Sequence, residues 1–414
     1  MIENPVRLSC ETKSDRRFST MPYENYTEEL LGLKDVIITS IKQSSQYCII
    51  HMQMPRKLHI CPICGCETDM IHDYREQKIK DIPSFGRLTI LHLRKRRYLC
   101  PACHKKFYEN VPFLPRYHRL TNRLSAWIIG EFRKVHSMSD IAERGNVSGT
   151  TAARIFDHVN YPKPRLTEAL SFDEFRGNAG GEKFQFIMTD PHAHRVLDIL
   201  PTRRMEDLYG YFNQFNNRDT VKYVIIDMNK EYRTLAHSCF PHATLVADKY
   251  HVVRQVVWAF EKVRKQEQQK FGDSRRKYFK RSRRLLLKRP ENLSEIEKDQ
   301  VVSMLSVSER LRYAYALKNE FFKVMDSNDS YEARKRLGVW SMMVQGYRKE
   351  LPEFIVCFNT YTNWQKEILN SFDCPYTNGY TEGVNNKIKV LKRNAFGVRN
   401  FERFRNRILH VMAA

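Results

Sequence analysis

The chain has 414 residues, of which 42% are hydrophobic and 28% charged, and its formal net charge is +23. This composition excludes an intrinsically disordered protein, because such chains contain too little apolar surface to bury. The excess of cations predicts a polyanionic partner, and nucleic acid is favoured over an acidic membrane because no basic amphipathic anchor is present. No run of 18 apolar residues occurs and the N-terminus has no apolar leader segment, so the sequence predicts a cytoplasmic protein without a membrane partner.

The N-terminal part predicts a flexible tail and a β-rich metal-binding domain. Residues 1–27 are polar and aperiodic, whereas residues 28–115 begin with two short β-rich runs that are typical of a hairpin. The two Cys-x-x-Cys pairs of this region are Cys61, Cys64, Cys100 and Cys103. Each pair opens with Cys-Pro, which favours a zinc ribbon over four free thiols or a redox pair, although the spacer between the pairs is unusually long. Cys66, His59 and His72 are interpreted as bystanders.

Residues 116–165 predict a helix-turn-helix domain. Gly145 is expected to make its turn, and Ser148 is expected to cap the second helix. The residues expected to bury the two helices are Met138, Ile141, Ala142, Ile155 and Phe156. The residues left exposed on the second helix, which would enter a major groove, are Gly149, Thr150, Thr151 and Arg154. An ordinary three-helix packing unit gives a similar pattern and is the alternative.

From residue 166 to 256 the pattern becomes α/β, with five strand-like runs and two intervening helices. Asp173, Asp227 and Asp248 lie at, or just beyond, the ends of three of these runs. Because α/β sheets present their chemistry at strand ends, these carboxylates are candidate site residues.

Residues 257–372 predict a long, basic, helical region. Nine of the fifteen residues from Arg275 to Arg289 are Lys or Arg, and no carboxylate lies among them. A solvated helix face is the usual explanation of such a run, but these cations would repel one another unless phosphates approached. The run therefore favours the approach of phosphates over a purely solvated face.

In the last region, residues 373–414, the stretch from Tyr376 to Leu409 places one carboxylate, Glu382, ahead of a row of cations. At 100° per residue, Val384, Ile388, Leu391 and Ala395 form one buried face of a helix over 380–395. The residues on the opposite face are Glu382, Asn386, Lys389 and Arg393. This placement suits a carboxylate that binds a metal ion while cations hold a phosphodiester, but a Glu that merely stabilises the helix dipole explains it equally well. The cations expected to contact DNA are Lys387, Lys389, Lys392 and Arg393.

Two-metal phosphodiester chemistry requires about three carboxylates to hold two Mg²⁺ or Mn²⁺ ions roughly 4 Å apart. Asp173, Asp227 and Glu382 would supply them if the strands and the last helix converged in a ribonuclease H-like fold. The placement of the two aspartates on strands is what favours this set among the 47 acidic residues.

From about Leu30 to Met412 the chain resembles the DDE transposases of bacterial insertion sequences, specifically the ISL-three family. The motifs that carry the resemblance are LLGLKDV, CPIC…CPAC followed by KKF, SFDEFRG, VIIDMNKEY, FPHATLVADKYHVV and YTNGYTEGVNNKIKVLKRNAFGVRNFERFRNRIL. The resemblance implies that Asp173, Asp227 and Glu382 are the catalytic triad, with Asp248 and His251 as supporting residues. It also implies a multidomain chain whose α/β ribonuclease H-like core is interrupted by an α-helical insertion, residues 257–372.

The expected function is that of a DNA transposase that binds the terminal inverted repeats of its element, then cleaves and transfers DNA strands. Its expected partners are the element ends, target DNA and a second copy of the chain, since two ends must be brought together. Two alternatives stay open at this point. One is a domesticated sequence-specific DNA-binding protein without catalysis, and the other is a structure-specific nuclease of ribonuclease H-like fold.

Overall fold

The computed structural model describes residues 31–177, 179–273, 276–277, 283–395 and 399–413. The predicted tail, 1–27, lies outside them. The chain forms two compact units: the first ends at Trp127 and also includes Glu143–Val147, whereas the second consists of Ile128–Ala142 and the chain from Ser148 onward. In the described ranges, no helix is both long and apolar enough to cross a membrane.

The first unit is a β-sheet domain. Its strands are β1 (Ile37–Gln43), β2 (Tyr47–Gln53), β3 (His59–Ile60), β4 (Glu67–Thr68), β5 (Ile71–Ser84), β6 (Arg87–Leu99) and β7 (Lys106–Tyr108). The main sheet has the order β1-β2-β6-β5, with β7 paired to β6, and β3 and β4 form a separate two-stranded ladder. The predicted N-terminal hairpin is present as the antiparallel pair β1 and β2. Alternate residues of the strands, such as Ile50, Leu91 and Leu93, form the core.

The second unit contains a five-stranded mixed sheet. Its strands are β8 (Ala169–Arg176), β9 (Phe184–Asp190), β10 (Arg195–Leu200), β11 (Tyr223–Ile226) and β12 (Thr244–Ala247). Their order is β10-β9-β8-β11-β12; β9 runs antiparallel to β8 and β10, and β8, β11 and β12 are parallel. All five predicted strands are present in this sheet.

The helices follow the predicted pattern as well. They are α1 (Asn122–Glu131), α2 (Met138–Arg144), α3 (Gly149–Phe156), α4 (Met205–Phe212), α5 (Lys230–Cys239), α6 (Lys249–Gln269), α7 (Arg283–Leu287), α8 (Glu295–Leu305), α9 (Glu309–Met325), α10 (Ser330–Gly346), α11 (Pro352–Asn363), α12 (Gln365–Asp373), α13 (Gly379–Asn394) and α14 (Phe401–Met412). The predicted domain boundaries stay predictions. Helix α6 continues without a break through residue 257, where the insertion was predicted to begin.

The second sheet packs helices on both faces. On one face Phe172 and Phe186 join a large core that continues into the helices after α6. On the other face Phe175 and Ile187 pack against α13 and α14. Since side chains alternate along a strand, Ser171, Asp173 and Phe175 all point toward α13 and α14. The alternation therefore determines that the side chain of Asp173 faces α13 and α14.

The basic run of the helical region is partly neutralised by acids that are distant in sequence. Arg283 lies 2.6 Å from Glu261, Lys288 lies 2.6 Å from Glu297, and Arg289 lies 2.6 Å from Asp326. The interpretation that the whole run needs phosphates for compensation is therefore wrong for these three cations. Arg275, Lys280 and Arg281 lie outside the described residues.

The helix-turn-helix segment is held against α14, the last helix. Arg407 donates to the carbonyl oxygens of Phe132, Lys134 and His136, which lie in the connection between α1 and α2. Arg403 forms a bidentate ion pair with Asp157, the residue that caps α3, with both N···O distances 2.7 Å. These two arginines of the basic C-terminal stretch are therefore used inside the protein rather than for DNA.

Lys318, in α9, is fully buried among aromatic rings, and its Nζ has no hydrogen-bond partner in the described part of the chain. Burial lowers the pKa of Lys318 from 10.5 to about 8, so between these values the unfolded chain binds more protons and stability rises with pH. We expect Lys318→Met to raise the free energy of unfolding at pH 7 by about 3 kcal/mol, and by much less at pH 10.

Denaturant unfolding at the two pH values measures this difference. The matched control is Lys323→Met on the same helix, since Lys323 is exposed and pairs with Glu320. An equal gain for both variants, or a gain at position 318 that does not depend on pH, would contradict the expectation.

Candidate active site

Three aspartates are brought level with one another on three neighbouring parallel strands: Asp227 and Asp248 directly follow β11 and β12, whereas Asp173 lies inside β8, which continues to Arg176. Ile225 pairs with Ser171, so Asp227 and Asp173 lie two residues further along in the same register. Ile226 pairs with Ala247, which places Asp248 beside Asp227. The row of carboxylates therefore follows directly from strand pairing, as expected for a site at the end of a parallel sheet.

The residue after Asp173 shows how strictly this placement depends on strand alternation. Glu174 points to the opposite face, where its carboxylate accepts from Arg203 at 2.6 and 2.8 Å and from the hydroxyl of Tyr232 at 3.4 Å. Only one of the two adjacent acids of the SFDEF motif therefore faces the candidate site.

Helix α13 carries Glu382 in its first turn, and the structure confirms the buried face predicted for Val384, Ile388 and Leu391. Ala395 instead ends the helix and is half-buried. Glu382 is half-buried as well, rather than fully exposed as a purely dipole-stabilising surface carboxylate would be.

Two asparagines that the sequence did not identify join the helix to the aspartates. Nδ2 of Asn385 donates to Asp173 at 2.7 Å, and Nδ2 of Asn378 donates to Asp248 at 3.0 Å. Ser171 also contacts Asn378 through its hydroxyl. Asn385 lies three residues after Glu382 and hence on its side of the helix, a spacing that could have marked it.

His251 lies between two of the aspartates. Its Nδ1 is 2.9 Å from Asp227, and its Nε2 is 3.8 Å from Asp248. Nδ1 is also 2.8 Å from the guanidinium of Arg254, so it accepts from Arg254 when Nδ1 carries no proton and donates to Asp227 when it carries one. Asp248 itself caps α6 by accepting from the backbone N–H of Tyr250 at 3.0 Å.

The ligand atoms of Asp227, Asp248 and His251 lie within 4.8 Å of one another. Asp173 and Glu382 are not part of this close group. The closeness has a simple cause, since the imidazole bridges the two aspartates. Of the predicted triad, Asp227 belongs to this close group, and its partners there are the two residues predicted to support the triad.

The electrostatics of the site indicate a shortage of positive charge. Burial and the neighbouring carboxylate of Asp227 raise the pKa of Asp173 to about 7. Burial, together with the charge of Asp248, also raises the pKa of Glu382. Burial alone would lower the pKa of His251, but its hydrogen bond to Asp227 and the nearby acids raise it. When neighbouring carboxyl groups raise one another's pKa, a cation that binds between them stabilises their charged forms.

Two buried carboxylate oxygens have no hydrogen-bond donor among the described residues: Oδ1 of Asp227 and Oε1 of Glu382. Leaving such an atom buried and unpaired costs free energy unless a ligand compensates. An all-oxygen donor set is what Mg²⁺ and Mn²⁺ prefer. Asp227 and Glu382 therefore each offer an unpaired oxygen to a divalent cation, whereas both oxygens of Asp173 and of Asp248 already accept hydrogen bonds.

The four cysteines of the first unit form a separate metal-binding cluster. Their sulfur atoms lie within 4.8 Å of one another, with 3.5 Å between Cys61 and Cys103 and 3.4 Å between Cys64 and Cys100. A tetrahedral zinc ion with Zn–S distances of about 2.3 Å would separate its sulfurs by about 3.8 Å. The cluster therefore supports the predicted structural zinc.

Each cysteine pair is presented by the same backbone turn. Gly65 N donates to Cys61 O, and His104 N donates to Cys100 O, both at 3.0 Å. Gly65 and His104 have φ of 73° and 55°, so each knuckle closes through a left-handed residue just after its second cysteine. The repeated geometry explains why the two distant CxxC sequences form equivalent halves of one site.

The helix-turn-helix has the predicted cap, since the hydroxyl of Ser148 accepts from Thr151 N at 3.1 Å. Gly145 lies in the turn as predicted, and the next residue, Asn146, is left-handed with φ 51°. Asn adopts this conformation more readily than most residues with a side chain. On α3, Thr150 and Arg154 are exposed, whereas Thr151 is half-buried and its hydroxyl contacts Ser148.

We expect Arg154→Ala to weaken binding to the cognate DNA end by roughly 5- to 150-fold, the effect of about 1–3 kcal/mol for a specific base contact. Binding to unrelated DNA should change much less. Competition binding measured at one fixed salt concentration gives both values. A loss that is equal for the two DNAs would mean that Arg154 contacts phosphate and that α3 does not read sequence.

The four cations of α13 that are predicted to contact DNA differ in whether they contact backbone carbonyl oxygens of the protein. Lys389 and Arg393 are exposed on the side predicted for them. Lys387 reaches the carbonyl of Val411 at 3.3 Å, and Lys392 donates to the carbonyl of Arg176. Lys389 and Arg393 are therefore better placed than the other two to meet a phosphodiester.

Comparison with known proteins gives a consistent assignment along the chain. A family model described as "Transposase" matches residues 170–408. Models described as "zinc-finger of transposase IS204/IS1001/IS1096/IS1165" and "Helix-turn-helix domain of transposase family ISL3" match residues 57–103 and 109–160. These matches confirm the predicted order of zinc ribbon, helix-turn-helix and catalytic region.

The chain is 28% identical over 371 residues to the "Transposase for insertion sequence element IS1001" of Bordetella parapertussis, covering 86% of this chain and 89% of that protein. It is also 34% identical over 113 residues to an "ATP-dependent protease" of Lactococcus lactis subsp. lactis. That second match covers 27% of this chain and 34% of the other protein, so its name carries no argument about function here.

Proposed function

This chain belongs to the ISL3 family of transposases, and we propose that it cleaves and transfers DNA strands with Asp173, Asp227 and Glu382 as its catalytic triad. We propose that these carboxylates hold two Mg²⁺ or Mn²⁺ ions. The observation that carries the proposal is the pair of buried, unpartnered oxygens on Asp227 and Glu382, beside an Asp173 in the same register.

Divalent ions held there would activate the attacking oxygen and stabilise the leaving oxygen of an in-line displacement at phosphorus. The protein's own residues supply position. Asn385 fixes one oxygen of Asp173, so the carboxylate presents the same lone pairs whenever substrate arrives. Asn378 ties the start of α13 to Asp248, which holds Glu382 at the edge of the sheet. His251 orients Asp227 through its Nδ1 contact.

The surrounding elements would recognise and hold DNA. The zinc ribbon and the exposed face of α3 would bind the terminal inverted repeats, and Lys389 and Arg393 would grip the phosphodiester beside Glu382. The mixed sheet would be a ribonuclease H-like core, with the helices from residue 257 to 372 inserted before α13. Since two ends must be joined, the working form would be a dimer.

A cleavage assay on a supercoiled plasmid tests the proposal. The plasmid carries the element's own flanking DNA and is incubated with Mg²⁺, with Mn²⁺ or with EDTA, and the cut positions are mapped. Metal-dependent cuts at two inverted sequences are the expected result. Specific binding without cutting in either metal would favour a DNA-binding protein that has lost catalysis, and cutting at branched DNA of any sequence would favour a structure-specific nuclease.

A further inference from the structure

One face of α6 beside the triad has no part in the proposed ligand set. Tyr250, Arg254 and Trp258 recur at every fourth position of this helix and therefore lie on one face. Trp258 is 60% exposed and Tyr250 is 53% exposed. Single exposed aromatic side chains are common, but here two lie on one helix face with a guanidinium between them.

Arg254 and Trp258 line a cavity of about 180 Å³ that is also bounded by Asp227, His251 and Gln255, whereas Tyr250 is not one of its lining residues. Sites for drug-sized ligands usually measure about 300–1,000 Å³, so this cavity suits one small planar group. Asp227 belongs to the proposed triad, which places the cavity next to the position of the cleaved phosphodiester. Gln255 contributes an amide, which can both donate to and accept from a polar edge.

Arg254 is held between the two rings. Its guanidinium carbon lies 4.7 Å from the ring centre of Trp258 and 5.4 Å from that of Tyr250. Nη2 contacts His251, whereas Nε is buried and has no partner among the described residues. The arrangement therefore offers stacking surfaces together with one unused donor.

Resting on the proposed function, we propose that Arg254 and Trp258 bind a single nucleobase rotated out of the duplex next to the cleaved phosphodiester. Aromatic and guanidinium faces stack bases without regard to sequence. The carboxylates of the triad are partly buried, so a stacked, paired base would keep the phosphate away from them. Extruding that base releases the strand to approach, and its stacking on Trp258 offsets the cost of unpairing.

The test compares Trp258→Ala and Trp258→Phe with the wild type on two forms of the same DNA end. One form is fully paired, and the other carries mismatches that leave the bases around the cleavage position unpaired. Trp258→Ala should slow cleavage of the paired end by roughly 5- to 150-fold, the effect of losing one base–aromatic stack, and Trp258→Phe by much less. On the mismatched end most of the loss should disappear.

A second readout does not depend on cleavage. With 2-aminopurine placed in turn at each position around the cleavage site, wild-type binding in Ca²⁺ should change the fluorescence at one position, and Trp258→Ala should abolish that change. Tyr331→Ala, which removes an aromatic side chain that is 66% exposed on α10, is the matched control and should behave as wild type. Thermal melting confirms that each variant is folded.

The outcomes separate this inference from the proposed function. Cleavage and fluorescence that Trp258→Ala leaves unchanged would overturn the base site alone. An equal loss of cleavage on both DNA forms without a fluorescence change would also overturn it, since Trp258 would then hold the backbone. A wild type that never cleaves would refute the proposed function, and the fluorescence measurement would still decide the base site.

Discussion

Replacing Asp227 by Asn is expected to lower the rate of cleavage at the element ends by about 10³-fold or more, and Asp173→Asn and Glu382→Gln should do the same. The amide keeps the size of the side chain but removes the charge that would bind a divalent cation, which contributes several kcal/mol to the transition state. Affinity for the end DNA should change little, because the proposed reading surface lies on α3 and the zinc ribbon. Mapped cleavage and equilibrium binding are measured on the same DNA.

The chain offers a close control for this experiment. Glu174→Gln changes the carboxylate next to Asp173, but that side chain points to the other face of the sheet and pairs with Arg203. It should retain cleavage. Asp248→Asn should cause a smaller loss than the triad variants, since an amide still accepts the hydrogen bond that caps α6. Cleavage at the wild-type rate by a triad variant would remove that residue from the triad. If Asp248→Asn lowered the cleavage rate as much as Asp227→Asn does, Asp248 would be a metal ligand as well.

Loss of the four-cysteine cluster is expected to have the second large effect. Wild-type protein should contain one zinc ion per chain, and Cys103→Ser should lose it. Structural zinc contributes folding free energy of about 10–16 kcal/mol in zinc-finger peptides, so the two knuckles should lose their fixed geometry without it. Specific binding to the end DNA should fall by at least about 10-fold, the effect of roughly 1.4 kcal/mol. Metal analysis and competition binding measure both changes.

Cys66→Ser is the matched control, because Cys66 follows the first knuckle directly but is not one of the four clustered residues. It should keep one zinc ion and normal affinity. Zinc retained by Cys103→Ser together with zinc lost from Cys66→Ser would show that the ligand set is different. Zinc lost without any change in end binding would separate the ribbon from recognition of DNA.

Patterns that are local in sequence predicted local structure well. The strand-like runs predicted all five strands of the second sheet, and the spacing of Val384, Ile388 and Leu391 predicted the buried face of α13. The two Cys-Pro knuckles predicted the thiolate cluster, since short turns with fixed cysteine spacing need little help from the rest of the chain.

What depends on pairing between distant segments was decided by the tertiary structure. Strand register set Asp173, Asp227 and Asp248 level, and the packing of α13 across the sheet brought Asn385 to Asp173 and Asn378 to Asp248. Ion pairs with remote acids neutralised cations that look uncompensated in the sequence, such as Arg283 and Arg289. By itself, the sequence determined which residue types are available, the periodicity of each element and its charge. Side-chain partners required the fold, because a hydrogen bond or ion pair depends on distances of a few ångströms between residues that can be 200 positions apart.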